Sequence, residues 1–222
     1  ATLVERDVVC ADWLSGGAIF YVREFLATET NVMYEYNVNS RRSTELGRFK
    51  GGIVQARLAP GGGFAVFKLL GIGNGRPVSS IVVFNIRNRT FLNLPSTGPN
   101  IDYTVAPDGA GLLYETPAGL VELDPLSGRS RVLFAASMVN GWRNEGQPVL
   151  AYPAPGRGHY LIVSGGGGQY SARLVRANGS AVAGVAGVSS ASEIQWRNAN
   201  ELYFRSGSTG LFTVRRITVS PW

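Results

Sequence analysis

Lysine, histidine, methionine and cysteine are nearly missing from this chain of 222 residues, and each shortage closes a line of chemistry. A single cysteine, Cys10, excludes an intrachain disulfide, and its place in an apolar run reads as a small core residue. A single histidine, His159, leaves no set of His and Cys ligands for a transition metal. A thiol nucleophile would need a His partner, and only His159 is available. No Gly-x-Ser-x-Gly elbow and no Walker-type phosphate loop occur. The glycine-rich stretches Gly71-Ile72-Gly73-Asn74-Gly75 and Ser164-Gly165-Gly166-Gly167-Gly168 lack the Lys-Ser/Thr and following helix that would hold phosphate, so they read as hairpin loops. No cofactor or metal is therefore expected. No run approaches the ~18 consecutive apolar residues of a membrane helix, and the first residues do not read as a secretory leader.

The formal net charge is +6, carried by 19 Arg against 2 Lys. Arg suits bidentate contact with carboxylate or phosphate. Only Arg41-Arg42 and Arg215-Arg216 are adjacent and no basic block exists, so the arginines read as dispersed surface cations and no nucleic-acid partner is expected.

What the chain does have is glycine, 29 residues, and a repeat. Ala106-Pro107-Asp108-Gly109 lies between Ile101–Val105 and Leu112–Glu115, two runs rich in β-branched, apolar and aromatic residues: a hairpin signal. Weaker copies follow Trp13, Leu58, Pro153 and Trp196. With Val105 these positions are spaced by 45, 47, 48 and 43 residues. A period in this range matches one four-stranded propeller blade. The expected architecture is all-β, one domain of four-stranded antiparallel blades at 7–49, 53–94, 100–134, 147–185 and 193–219. The last blade is one strand short. Strand 1–6 is expected to pair beside 211–219, closing a five-bladed β-propeller and removing a sheet edge. The rival is a segment of a larger propeller.

The repeat resembles the TolB-like, WD-repeat-like β-propeller family, whose units carry an aromatic residue, Ser-Pro-Asp-Gly and an apolar strand. Ala106-Pro107-Asp108-Gly109 matches well; Ala59-Pro60-Gly61-Gly62 and Leu14-Ser15-Gly16-Gly17 match in part. Tyr34–Val38 and Leu120–Pro125 look like the family's third-strand segment. The resemblance implies a scaffold that commonly binds proteins, sometimes beside a peptidase domain, and favours a periplasmic or secreted setting. It carries architecture rather than activity.

Turn lengths point to a binding face. First-to-second and third-to-fourth strand turns look tight. Connections at the other end look long: 24–31, 71–79, 135–146 and 164–168. Long loops tend to carry function. The connection 135–146 offers Met138, Trp142 and Arg143, residue types enriched in binding anchors, with Arg76 as a lesser contributor. The other role for Trp142 is to plug a gap between blades. The expected function is non-enzymatic protein binding through this face. The alternative is a carbohydrate-binding or glycoside-hydrolase-type propeller, because some five-bladed propellers are glycosidases that use acids of their innermost strands; here those acids are Asp12, Asp102 and Glu193.

Overall fold

The computed structural model describes residues 6–14, 16–73, 76–94, 101–144, 147–166, 169–191, 194–208 and 211–219. The chain divides into two compact units, residues 1–99 with 125–127 and residues 100–124 with 128–222. The first unit holds two four-stranded sheets. One comprises β1 (Val8–Trp13), β2 (Ala18–Phe25), β3 (Thr30–Asn37) and β4 (Arg42–Lys50). The other comprises β5 (Gly52–Leu58), β6 (Phe64–Gly73), β7 (Arg76–Asn85) and β8 (Thr90–Leu94). The second unit holds three. They are β9 (Tyr103–Val105) to β12 (Ser130–Ala135), by way of β10 (Leu112–Thr116) and β11 (Gly119–Leu123); β13 (Val149–Pro153), β14 (His159–Gly166), β15 (Gln169–Arg176) and β16 (Ala181–Val185); and β17 (Ile194–Asn198), β18 (Glu201–Ser208) and β19 (Leu211–Thr218). Every pairing is antiparallel and spatial order follows chain order.

Tight turns and period-two alternation build these sheets, and burial of the second strands stacks them. In the first unit Phe20 and Val22 of β2 and Met33 of β3 meet Ala65 and Phe67 of β6 and Phe84 of β7. In the second unit, Leu113 of β10 and Ile162 of β14 share one core, while Leu161 of β14 and Phe204 of β18 share the next. The second-strand residues Phe20, Phe67, Leu113, Ile162 and Phe204 are all buried, as the repeat register requires. Ladder shifts between the first two strands recur at Val8/Cys10, Ile53/Gln55 and Trp196/Asn198. Others fall between the last two strands at Met33/Tyr34, Leu120/Val121 and Leu174/Val175. Such bulges increase strand twist and bend.

Three of the four long connections are not loops. The ladder of β2 and β3 continues through Glu24↔Asn31 and Phe25↔Thr30, leaving a single 3-10 turn over Leu26–Thr28. That of β6 and β7 runs to Gly73↔Arg76, and that of β14 and β15 to Gly166↔Gln169. Ladder bonds join backbone groups, so glycine and polar residues extend a hairpin as long as its tip needs no buried side chain. Pro77 is tolerated because β8 pairs with β7 only from Ile81 onward, so its missing N–H costs no ladder bond there. The fourth connection folds as a short helix, α1 (Ala136–Trp142). Residues 2–5 lie outside the described residues, and so does the expected pairing of the first strand; β17–β19 is a three-stranded sheet.

Replacing Phe67 with Ala should lower stability by ~3–5 kcal/mol through loss of transfer free energy and a residual cavity. Denaturant melts of the full chain check this, with Phe91→Ala, on an exposed site, expected to cost far less.

Candidate functional site

Within each unit the strands have two ends. One carries the first-to-second and third-to-fourth turns, the other the second-to-third turns and the links between sheets. The residues expected to bind lie at the second kind of end. In the first unit the β6–β7 hairpin outruns its flanks: β5 accompanies β6 only to Leu70, and β8 meets β7 only from Ile81. The two-stranded tip presents Ile72, 83% exposed, Leu70, 49% exposed, and Val78, beside the exposed Arg76. Opposed residues of an antiparallel pair share a face, so Leu70, Ile72 and Pro77 form one apolar side of this ribbon. The neighbouring β2–β3 tip exposes Phe25 and Leu26. With Val8, Val9 and Ala27 they line a recess of about 530 Å³.

In the second unit α1 is packed down. Trp142 is only 8% exposed and stacks edge-on to Phe134, 5.1 Å between ring centroids, within the core shared by β10 and β14. Trp142 therefore fills the gap between two sheets. Arg143 is held as well. Its Nη2 donates to Glu115 Oε1, and its Nη1 donates to Glu115 Oε2 at 3.2 Å and to the Gln147 carbonyl at 3.0 Å. Glu115 Oε2 also accepts from the Val149 N–H at 3.1 Å. Asn144 completes the tie: its N–H donates to Ser164 Oγ at 2.9 Å and its Nδ2 to the Ser164 carbonyl at 3.2 Å. This network joins the end of α1 to β10, β13 and β14. Met138, part-exposed, is the residue of this group left at the surface.

The inner-strand acids fall in different units. Asp12 belongs to the first unit and borders a cleft of about 260 Å³ with Cys10 and Arg57; its Oδ1 accepts from the Trp13 N–H at 2.7 Å. Asp102 belongs to the second unit and accepts from the Tyr103 N–H at 2.9 Å. Glu193 lies outside the described residues. Burial pushes the Cys10 thiol from 9.0 to about 11, with Asp12 adding to the rise against the Val22 backbone hydrogen bond. That is the opposite of an activated nucleophile. His159 Nε2 is buried without a partner among the described residues.

Sequence reasoning missed a cluster at the other end of the second unit. Glu122, buried, takes Arg131 on Oε2, from Nε at 2.9 Å and Nη2 at 2.7 Å, and Arg157 Nη1 on Oε1 at 2.7 Å. Arg157 Nη2 reaches Asp108 at 3.0 Å. Gly111 makes the room, since a Cβ there would lie 2.7 Å from Glu122 Oε1. The bond to Glu122 raises the Arg131 pKa. Burial, then Glu122, raises that of Tyr160, against Arg157 and Arg131. The only signal for this cluster was the charge in the turns at Asp108 and Arg157, which lie 49 residues apart.

No protein-family model matches the sequence, and no curated protein matches it. Solved structures do. TolB from Acinetobacter baumannii aligns with 95% of this chain and 51% of its own at a TM-score of 0.57 and 15% identity. The acylaminoacyl peptidase of Pyrococcus horikoshii aligns with 97% and 39% at 0.60 and 10% identity, and the tricorn protease with 96% and 21% at 0.58 and 16% identity. The fold is thus a TolB-like β-propeller, and the chain spans about half or less of the length of these proteins.

Two outcomes check this site. Trp142→Ala should lower stability by ~3–5 kcal/mol, as a large buried side chain does, measured by thermal or chemical denaturation. Alkylation of Cys10 by iodoacetamide at pH 8 should run about a hundredfold slower than for a thiol of ordinary pKa, because the rise to about 11 keeps it protonated.

Proposed function

We propose that this chain is a non-enzymatic binding module, a five-bladed propeller that holds a protein partner through the end of its strands carrying the second-to-third turns. The observation that carries this reading is the unsupported β6–β7 ribbon with Leu70 and Ile72 exposed. An apolar side uncovered on a two-stranded ribbon is the kind of surface a partner buries. Arg76 at the tip supplies a bidentate donor beside it. On α1, Met138 is a second contact, held by the packed Trp142 and the tethered Arg143, which act as supports rather than anchors. The Acinetobacter TolB likeness supports a scaffold; the peptidase names of other neighbours belong to chains of which this one covers a minor part.

Peptides selected against the full chain from a display library should protect the amides of 70–79 from hydrogen exchange. Leu70→Asp with Ile72→Asp should weaken them by about tenfold or more, since truncating an anchor costs ~2 kcal/mol. Protection confined to the first-to-second and third-to-fourth turns, with unchanged affinity in this variant, would overturn the assignment.

A further inference from the structure

The third-to-fourth turns of the first unit carry arginines in a way that packing does not require. The β3–β4 turn reads Asn37-Val38-Asn39-Ser40-Arg41-Arg42 and the β7–β8 turn reads Asn85-Ile86-Arg87-Asn88-Arg89-Thr90. The two are built alike. Asn37 Oδ1 accepts from the Ser40 N–H at 2.9 Å and Asn85 Oδ1 from the Asn88 N–H at 3.0 Å. The Val38 N–H reaches the Gly17 carbonyl and the Ile86 N–H the Gly63 carbonyl, tying each turn to the first turn of its own sheet. The fifth residue of each turn is left-handed, Arg41 with φ 54° and Arg89 with φ 56°. In the second unit the left-handed residue just before the end of the third-to-fourth turn is glycine, Gly128 at φ 72° and, in a turn one residue shorter, Gly179 at φ 83°. Glycine adopts this region without a Cβ clash, whereas an arginine there is strained. The first unit thus places arginine where glycine is the relaxed choice.

Arg41, Arg42, Arg87 and Arg89 are exposed, and none makes an ion pair among the described residues. Neither six-residue turn contains an acid. The second unit differs: Arg131 and Arg157 at its equivalent end are neutralised by Glu122 and Asp108. Both turns of the first unit lie at one end of two sheets packed through Met33, Phe67 and Phe84, so four uncompensated guanidinium groups share that end.

We propose that these two turns form a docking surface for an acidic polypeptide segment, with its carboxylates held by Arg41, Arg42, Arg87 and Arg89. The planar fork of arginine matches a carboxylate bidentately. Neither turn holds an aromatic side chain on which nucleic-acid bases would stack, and the exposed Val38 offers apolar contact instead. The polar tips Asn39, Ser40 and Asn88 give a bilayer nothing to bury.

The test is titration of the full chain with a fluorescein-labelled decaglutamate peptide at low and physiological salt, with decaglutamine as control. The wild type should bind decaglutamate alone, more weakly as salt rises. R41Q/R42Q/R87Q/R89Q should bind about tenfold or more weakly, with an unchanged circular dichroism spectrum. R48E/K50E removes the same net charge from the opposite end of β4 and should bind as wild type does. If the quadruple variant fails to fold, R41G/R89G, which installs the residue found at Gly128 and Gly179, carries the same expectation of weaker binding. Unchanged affinity in the arginine variants, or equal loss in R48E/K50E, would overturn the proposal. So would displacement of the peptide at lower concentration by a 20-base-pair DNA duplex or by phosphatidylserine vesicles, or binding of decaglutamine equal to that of decaglutamate.

Discussion

In four of the five sheets, those of β2, β6, β10 and β14, the second strand is buried on both of its faces, and much of the structure follows from that demand. In β14 the consecutive residues Tyr160, Leu161, Ile162 and Val163 are all buried. Tyr160 and Ile162 belong to the core shared with β10; Leu161 and Val163 belong to the core shared with β18. Successive side chains of a strand point to opposite faces, so an unbroken apolar run forces a neighbour on each side. A single sheet of this kind has no stable isolated form, because either uncovered face would leave large apolar area in water. Side-chain shape then sets how sheets meet. Trp196 reaches across to the Tyr152 carbonyl through its Nε1 at 2.9 Å, and Thr104 reaches the Ala151 carbonyl, so apolar stacking is pinned by a few buried polar contacts.

Two of the carboxylates drawn into the second unit are satisfied by more than one partner. Glu115 meets Arg143 and a backbone N–H, and Glu122 meets two arginines. Removing one partner of such a cluster leaves a charge in a poorly solvated place, a larger loss than the pair's own net contribution. These clusters hold turns and links against strands while the tips beyond them remain exposed. Within the first unit the packed interior contrasts with exposed strand ends, where Ile72, Leu26 and the turn arginines stand.

Much of the interior was legible in the sequence. The recurrence of Trp13, Leu58, Val105, Pro153 and Trp196 located five sheets, and the register it sets puts the second-strand residues Phe20, Phe67, Leu113, Ile162 and Phe204 on faces that the structure buries. Glycine misled at the hairpin tips, where 71–73 and 165–166 are laddered strand, because composition reports side chains and the ladder is made by backbone. The sequence leaves Trp142 open as a binding anchor or as a plug between blades; α1 packs Trp142 against Phe134, and Arg143 finds Glu115, 28 residues away.

Repeat period, strand alternation and turn positions were determined by the sequence alone, because each depends on neighbours a few residues apart or on a pattern that recurs along the chain. Tertiary structure alone decided which charges are neutralised. Arg157 and Glu122 are 35 positions apart and meet at 2.7 Å, while Arg41 and Arg89, equally plain in the sequence, meet no acid among the described residues. Coulomb attraction acts over a few ångströms in space, and only the stacking of sheets sets those distances.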